Sequence, residues 1–127
     1  MQLAEGVLAL QAEIRTIRRD IHAHPELRFE EHRTARLVAE RLQAWGLQVT
    51  TGIGETGVVG TLKRGTSGRS IGLRADMDAL PLQEENRFGH RSVFDGKMHA
   101  CGHDGHTAML LAAARHLSQA TDSFDGT

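Results

Sequence analysis

The chain has 127 residues, 39% hydrophobic and 24% charged, which are the proportions of one ordinary globular domain. Its 15 basic and 16 acidic residues give a formal net charge of −1, and tyrosine is absent, so nothing indicates nucleic-acid or anionic-membrane binding. A single cysteine excludes an internal disulfide, and polar residues interrupt the N-terminal apolar run, so we expect a cytoplasmic protein without a leader or membrane span.

Two helices are predicted in the first third of the chain, where apolar residues recur at alternating spacings of four and three. The first ends before Pro25, because the residue preceding a proline disfavours helical geometry. Its apolar stripe consists of Leu3, Val7, Leu10, Ile14, Ile17 and Ile21. The second is predicted over residues 30–45, with Gly46 placed to close it.

Three strands are predicted next, over residues 47–51, 57–62 and 70–76, where β-branched and apolar residues alternate or cluster. The glycines of segment 65–68 predict a turn that joins the second and third strands into a hairpin. A third helix is predicted from Gly105 or Thr107 to Leu117. Helices, strands and a helix in this order predict an α/β domain with three layers. Three strands are few for a covered sheet, and the polar segment 121–127 adds none, so the sequence predicts only part of a domain.

The segment MHACGHDGHT, residues 98–107, combines the only cysteine with three histidines and an aspartate. Thiolate, imidazole and carboxylate are the side chains that bind transition metals. In an extended segment, residues two apart face the same side, so we expect Cys101 and His103 to reach one ion. The start of the following helix favours the thiolate form of Cys101. Asp104 is a candidate to orient a ligand imidazole, and His99 and His106 are further candidates without an assigned role.

An alternative remains open for this segment, because a lone cysteine before a helix is often a small buried apolar residue and a histidine there is often a capping group. Two ligands also do not complete a zinc site, which takes three or four from the protein.

Two other segments carry candidate residues. In RADMDALP, Asp76 and Asp78 follow a predicted strand, at the end where open α/β sheets bind ligands. The alternative there is a solvated strand end with an ion pair to Arg74. In HAHPEL, the spacing favours a helix stop with two exposed imidazoles, His22 and His24.

In this order, HAHPEL, RADMDALP and MHACGHDGHTA resemble the two-metal amidohydrolases of the aminoacylase and carboxypeptidase type. The similar branch contains hippurate hydrolase, N-acyl-L-amino-acid amidohydrolase and the indoleacetyl-amino-acid hydrolases, and the resemblance extends from about Ile14 to Leu117. It implies an α/β catalytic domain with a mixed, twisted sheet and flanking helices, interrupted by a lid domain that mediates dimers. It also implies hydrolysis of the amide bond of small N-acyl amino acids with two divalent metal ions. Zinc and manganese are the preferred candidates for these ions, and nickel and cobalt are the other candidates.

By this resemblance, Cys101 and His103 match metal ligands of the branch. Asp78 matches the aspartate that supports a ligand beside the metals, and we assign it to the catalytic machinery. Asp76 stands where related branches carry a histidine ligand. His24 and Glu26 match a recurring motif, for which the residues themselves indicate no role.

In the family, a Glu-Glu pair provides a general base and a metal ligand. This pair, two ligand histidines and the lid domain all come after the part that residues 1–127 match. We therefore expect residues 1–127 to form the N-terminal part of the catalytic domain and to be inactive alone. The resemblance allows a homo-oligomer. One alternative is a non-catalytic, truncated metal-binding or oligomerising remnant. A phosphohydrolase that uses His103 and Asp104 as paired ligands is disfavoured, because that class is all-helical and residues 47–76 predict strands.

Overall fold

The computed structural model describes residues 5–120 and 124–127, so Leu3 of the predicted apolar stripe lies outside the described residues. Five elements follow in the order α1 (Glu5–Ala23), α2 (His32–Ala44), β1 (Gln48–Ile53), β2 (Gly57–Thr61) and α3 (His103–Gln119). The predicted α/β class is confirmed. Among the helices in these ranges, none has the length and apolar content needed to cross a bilayer.

The core forms where α1 packs against α3, and α2 packs against the hairpin of β1 and β2. On the predicted stripe of α1, Ile17 and Ile21 are buried whereas Val7, near the helix start, is 40% exposed. Each buried aliphatic side chain of this kind contributes roughly 1.5–3 kcal/mol. The central cluster consists of Ile17, Ile21, Val38, Leu42, Leu47 and Leu111.

Both ends of α2 have an identifiable cause. At its start, the Glu26 carboxylate accepts hydrogen bonds from the backbone N–H of Arg33 at 2.8 Å and of Thr34 at 2.7 Å. Those amides would otherwise lack partners in the first turn of the helix. At its end, Gly46 adopts φ +82°, which confirms the predicted glycine closure. The glutamate of HAHPEL therefore has a structural role as a helix cap.

The hairpin differs from the predicted one. Strands β1 and β2 pair antiparallel, with Gln48 opposite Thr61, and the intervening residues Gly54 and Glu55 both have positive φ values. The predicted turn at 65–68 therefore does not join two paired strands. The tight turn at 54–56 instead places β2 directly beside β1.

The third predicted strand, over 70–76, is wrong as an assigned strand. Within the part of the chain described, its only backbone ladder partner is Thr127, which accepts from Ile71 N–H at 3.0 Å and donates to the Arg69 carbonyl at 2.9 Å. A strand exists only where a neighbour satisfies its amides and carbonyls. Ile71 is 78% and Leu73 58% exposed, so the apolar face of this segment is largely uncovered. The segment has the sequence pattern of a strand but little to pair with.

Candidate metal centre

Backbone pairing brings the three motifs together. Ala79 N–H donates to the Glu26 carbonyl at 2.7 Å, and Leu80 and Met98 exchange two hydrogen bonds of 2.9 and 3.0 Å. Segment 78–80 is thus held between the HAHPEL segment on one side and the start of MHACGHDGHT on the other. These few main-chain hydrogen bonds bring together three segments that are far apart in the sequence.

Asp78 and His103 form the central contact of the site. His103 Nδ1 lies 2.9 Å from both the backbone oxygen and Oδ1 of Asp78. A carbonyl oxygen only accepts, so the proton is on Nδ1 and the free lone pair is on Nε2. Both side chains are half-buried and line an open cleft of about 1260 Å³. The imidazole is therefore held in the tautomer that a metal ligand requires.

Cys101, two residues before His103 in the sequence, is a free, exposed thiol. The extended geometry expected for residues 101–103 is wrong, because Gly102 adopts φ +83° and His103 is already the first residue of α3. Within residues 5–120 and 124–127, no group of three or more histidine, cysteine, aspartate or glutamate side chains is arranged to hold a metal ion. The described chain thus offers two donors of suitable chemistry, sulfur and imidazole nitrogen, and no closed site.

Asp76 and the remaining histidine candidates lie at the edge of this arrangement. Asp76 is exposed and pairs with Arg74 at 2.7 Å, which is the surface ion pair considered as the alternative. The ring of His106, an exposed residue, lies 5.8 Å from that of His103. His24 donates from Nδ1 to the Asp20 carbonyl at 2.8 Å, so it ends α1 rather than facing the cleft.

Asp104 does not orient His103, contrary to the prediction. It is fully buried, and its Oδ2 accepts from Arg18 Nε at 2.7 Å and from His22 Nδ1 at 2.8 Å. His22 is only 3% exposed, so the expectation of an exposed imidazole is also wrong. The sequence contained a signal for this contact, since Arg18 and His22 are four residues apart on one face of α1.

Glu84 completes this buried group and had no signal in the sequence. Its Oε1 lies 3.0 Å from His22 Nε2, and its Oε2 accepts from the Ser92 N–H at 2.6 Å. Burial alone would raise the pKa of Glu84, but hydrogen bonds from Ser92, Asn86 and His22 outweigh it and lower the pKa below the ordinary value of 4.5.

A depressed pKa makes Glu84 a source of acid sensitivity. A carboxylate with a lowered folded-state pKa stabilises the fold above the unfolded pKa and loses that effect as pH falls through the folded value. We expect the free energy of unfolding to fall as the pH drops below about 4.5, and Glu84→Gln to flatten that fall. Urea unfolding between pH 7 and pH 3 measures it, with exposed Glu85→Gln as the control. An unchanged pH slope in Glu84→Gln contradicts the assignment.

His99 is the remaining candidate histidine. It is 4% exposed, and neither ring nitrogen has a hydrogen-bond partner in the part of the chain described. Burial lowers the pKa of His99, although the nearby Asp104 carboxylate opposes the shift. The ring is therefore enclosed, and its centroid lies 6.4 Å from that of His22.

Residues 72–127 match peptidase family M20/M25/M40. Over 126 residues, the chain is 53% identical to hippurate hydrolase of Campylobacter jejuni, covering 99% of this chain and 32% of that protein. It is 51% identical over 109 residues to N-acyl-L-amino acid amidohydrolase of Geobacillus stearothermophilus, covering 86% of this chain and 30% of that protein. The chain thus spans about a third of the length of the curated relatives it matches.

Solved structures show the same fold. A protein described as an aminohydrolase, from methicillin-resistant Staphylococcus aureus, superposes with a TM-score of 0.92 at 40% identity over 96% of this chain and 32% of that one. A dinuclear metal-binding peptidase of the M20 family from Bacillus subtilis superposes with a TM-score of 0.84 at 38% identity, over 90% and 32% of the two chains. The predicted α/β fold class and the predicted resemblance are confirmed: the chain is similar to amidohydrolases of peptidase family M20 over about a third of their length.

Proposed function

We propose that this chain forms the N-terminal part of a metal-dependent amidohydrolase that cleaves the amide bond of N-acyl amino acids. The observation that carries the proposal is the double contact of His103 Nδ1 with Asp78, which leaves Nε2 as a ligand atom at the open cleft. The names of the relatives, hippurate hydrolase and N-acyl-L-amino acid amidohydrolase, support the substrate class.

Cys101 and His103 are the residues proposed to hold a divalent ion. A thiolate and an imidazole suit zinc, with manganese, nickel or cobalt as the other candidates. When bound, the ion supplies Lewis acidity for the scissile carbonyl and for water. Asp78 holds the proton of His103 on Nδ1, so its proposed role is to fix the ligand tautomer and the direction of the ring. We also propose that a second divalent ion belongs to the complete protein, as the dinuclear relative from Bacillus subtilis supports.

The setting of this proposal is a cytoplasmic protein that acts on a small molecule and binds neither nucleic acid nor membrane. A free, exposed thiol is stable in a reducing compartment, which supports the location. A homo-oligomer also belongs to the proposal, since the resemblance allows a lid domain that mediates dimers.

A chimera tests the proposed function. The 126 aligned residues of this chain replace the matching third of Campylobacter jejuni hippurate hydrolase, to which they are 53% identical. We expect this chimera to hydrolyse hippurate when zinc or manganese is added, whereas the 127-residue chain alone releases no product. Glycine release is measured, and far-UV circular dichroism confirms that both proteins are folded.

A folded chimera without turnover, beside an active unaltered relative, would contradict the proposal and favour the non-catalytic remnant. Hydrolysis by the 127-residue chain alone would contradict the expectation that the described donors form an incomplete site.

A further inference from the structure

Four charged or ionisable side chains form a buried charge cluster behind the candidate metal centre: Arg18, His22, Glu84 and Asp104. The side chains of His22, Glu84 and Asp104 are 4%, 2% and 0% exposed, while that of Arg18 reaches the surface. None of the four matches a proposed ligand. The cluster connects α1, the loop after Leu82 and the first turn of α3.

The hydrogen bonds define the charges within the cluster. Both ring nitrogens of His22 face carboxylate oxygens, at 2.8 Å from Asp104 and 3.0 Å from Glu84. A neutral imidazole has one N–H, so both contacts are satisfied only when both nitrogens donate. The imidazolium and the Arg18 guanidinium together balance the two carboxylates.

Such a cluster is not explained by stability. Desolvating the side chains of His22, Glu84 and Asp104 is unfavourable, and apolar side chains of similar volume often serve equally well or better in their place. The cluster instead fixes the orientation of the groups that it joins, because each hydrogen bond restrains an angle as well as a distance.

The element that the cluster orients is the first turn of α3. Asp104 directly follows His103, and the turn begins after Gly102 at φ +83° with no side-chain cap. Two sets of contacts therefore set its orientation: Asp78 holds His103 from the cleft side, and the cluster holds Asp104 from the α1 side.

We propose that Arg18, His22 and Glu84 are positioning residues, which act through Asp104 to orient His103 and Cys101 for metal binding. This inference rests on the proposed function, because it assigns to the cluster a role in the affinity of that site. Without the cluster, α3 remains a helix, but its first turn no longer presents the two donors in a fixed relation.

Cobalt(II) binding to the 127-residue chain tests the inference, since a thiolate ligand gives cobalt a near-ultraviolet charge-transfer band. We expect His22→Gln to raise the apparent dissociation constant about 10- to 100-fold, as loss of partners behind metal ligands does. Arg18→Gln is the milder variant, since that side chain is 40% exposed and its loss leaves the core closed. Arg18→Lys is expected to recover part of the loss. His24→Gln, whose ring bonds only within the end of α1, is the matched control and should stay within about twofold.

Amide hydrogen exchange provides a second readout that needs no metal. The N–H groups of Gly105 and His106 both bond the Gly102 carbonyl, and we expect them to exchange faster in Arg18→Gln and His22→Gln than in the unaltered chain. Unchanged exchange overturns the inference. Normal cobalt affinity in both folded variants also overturns it, while leaving the proposed function intact. Absence of the charge-transfer band in the unaltered chain instead overturns the metal site, and the inference with it.

Discussion

Replacing Cys101 with alanine in the hippurate hydrolase chimera is expected to lower turnover about 10³-fold, which is the largest effect on activity that we predict. A metal ion contributes several kcal/mol of transition-state stabilisation, and each 1.36 kcal/mol corresponds to a factor of ten in rate. Cys101 is exposed, so its loss removes a donor without opening a cavity in the core. The rate of hippurate hydrolysis at saturating substrate measures the effect.

Asp78→Asn provides the graded comparison. Asparagine keeps one oxygen near His103 Nδ1, and the backbone oxygen of residue 78 remains an acceptor. We therefore expect Asp78→Asn to weaken metal affinity about 10- to 100-fold, and to lower turnover less than Cys101→Ala does. Exposed Asp95→Asn is the control. Turnover retained in Cys101→Ala would remove the thiolate from the proposed site, whatever the result at Asp78.

Local patterns predicted the helices well. The stripe that includes Ile17 and Ile21 identified the buried face of α1, and Gly46 marked the end of α2, since spacing and backbone preference act over a few residues. The strand at 70–76 was different. Its alternation is a local property, but a strand also requires a neighbour, and residues 5–120 and 124–127 provide it with Thr127 alone.

The candidate site could be predicted only in part, for the same physical reason. Chemistry-bearing residue types within ten positions indicated Cys101 and His103 as candidates, and the motif match indicated Asp78. The partner of Asp104 was misassigned, because adjacency in sequence suggested His103 whereas the carboxylate faces His22, 82 residues away. Glu84 was missed altogether, since its role depends on the path of the loop around it and no spacing rule encodes that path.

Asp104→Ala is expected to lower the free energy of unfolding by about 3 kcal/mol, the lower part of the range for breaking a buried ion pair. The loss of stability arises mainly at buried His22, which keeps only Glu84 as a counter-ion. It is not larger because the Arg18 side chain, which also loses its partner, can turn to solvent. Against a typical total of about 5–15 kcal/mol, this is a large fraction of stability. Urea unfolding at pH 7 measures it, with exposed Asp95→Ala as the control.

Replacing the buried groups together separates stability from positioning. In the triple variant His22→Leu, Glu84→Met, Asp104→Leu, no unpaired buried charge remains, so we expect stability within about 1 kcal/mol of the unaltered chain or above it. Cobalt affinity should nevertheless stay about 10- to 100-fold weaker, because apolar contacts do not fix the angle of the first turn of α3. A triple variant with unaltered cobalt affinity would show that the cluster only fills space. One that is as unstable as Asp104→Ala would show that the charges themselves stabilise the fold.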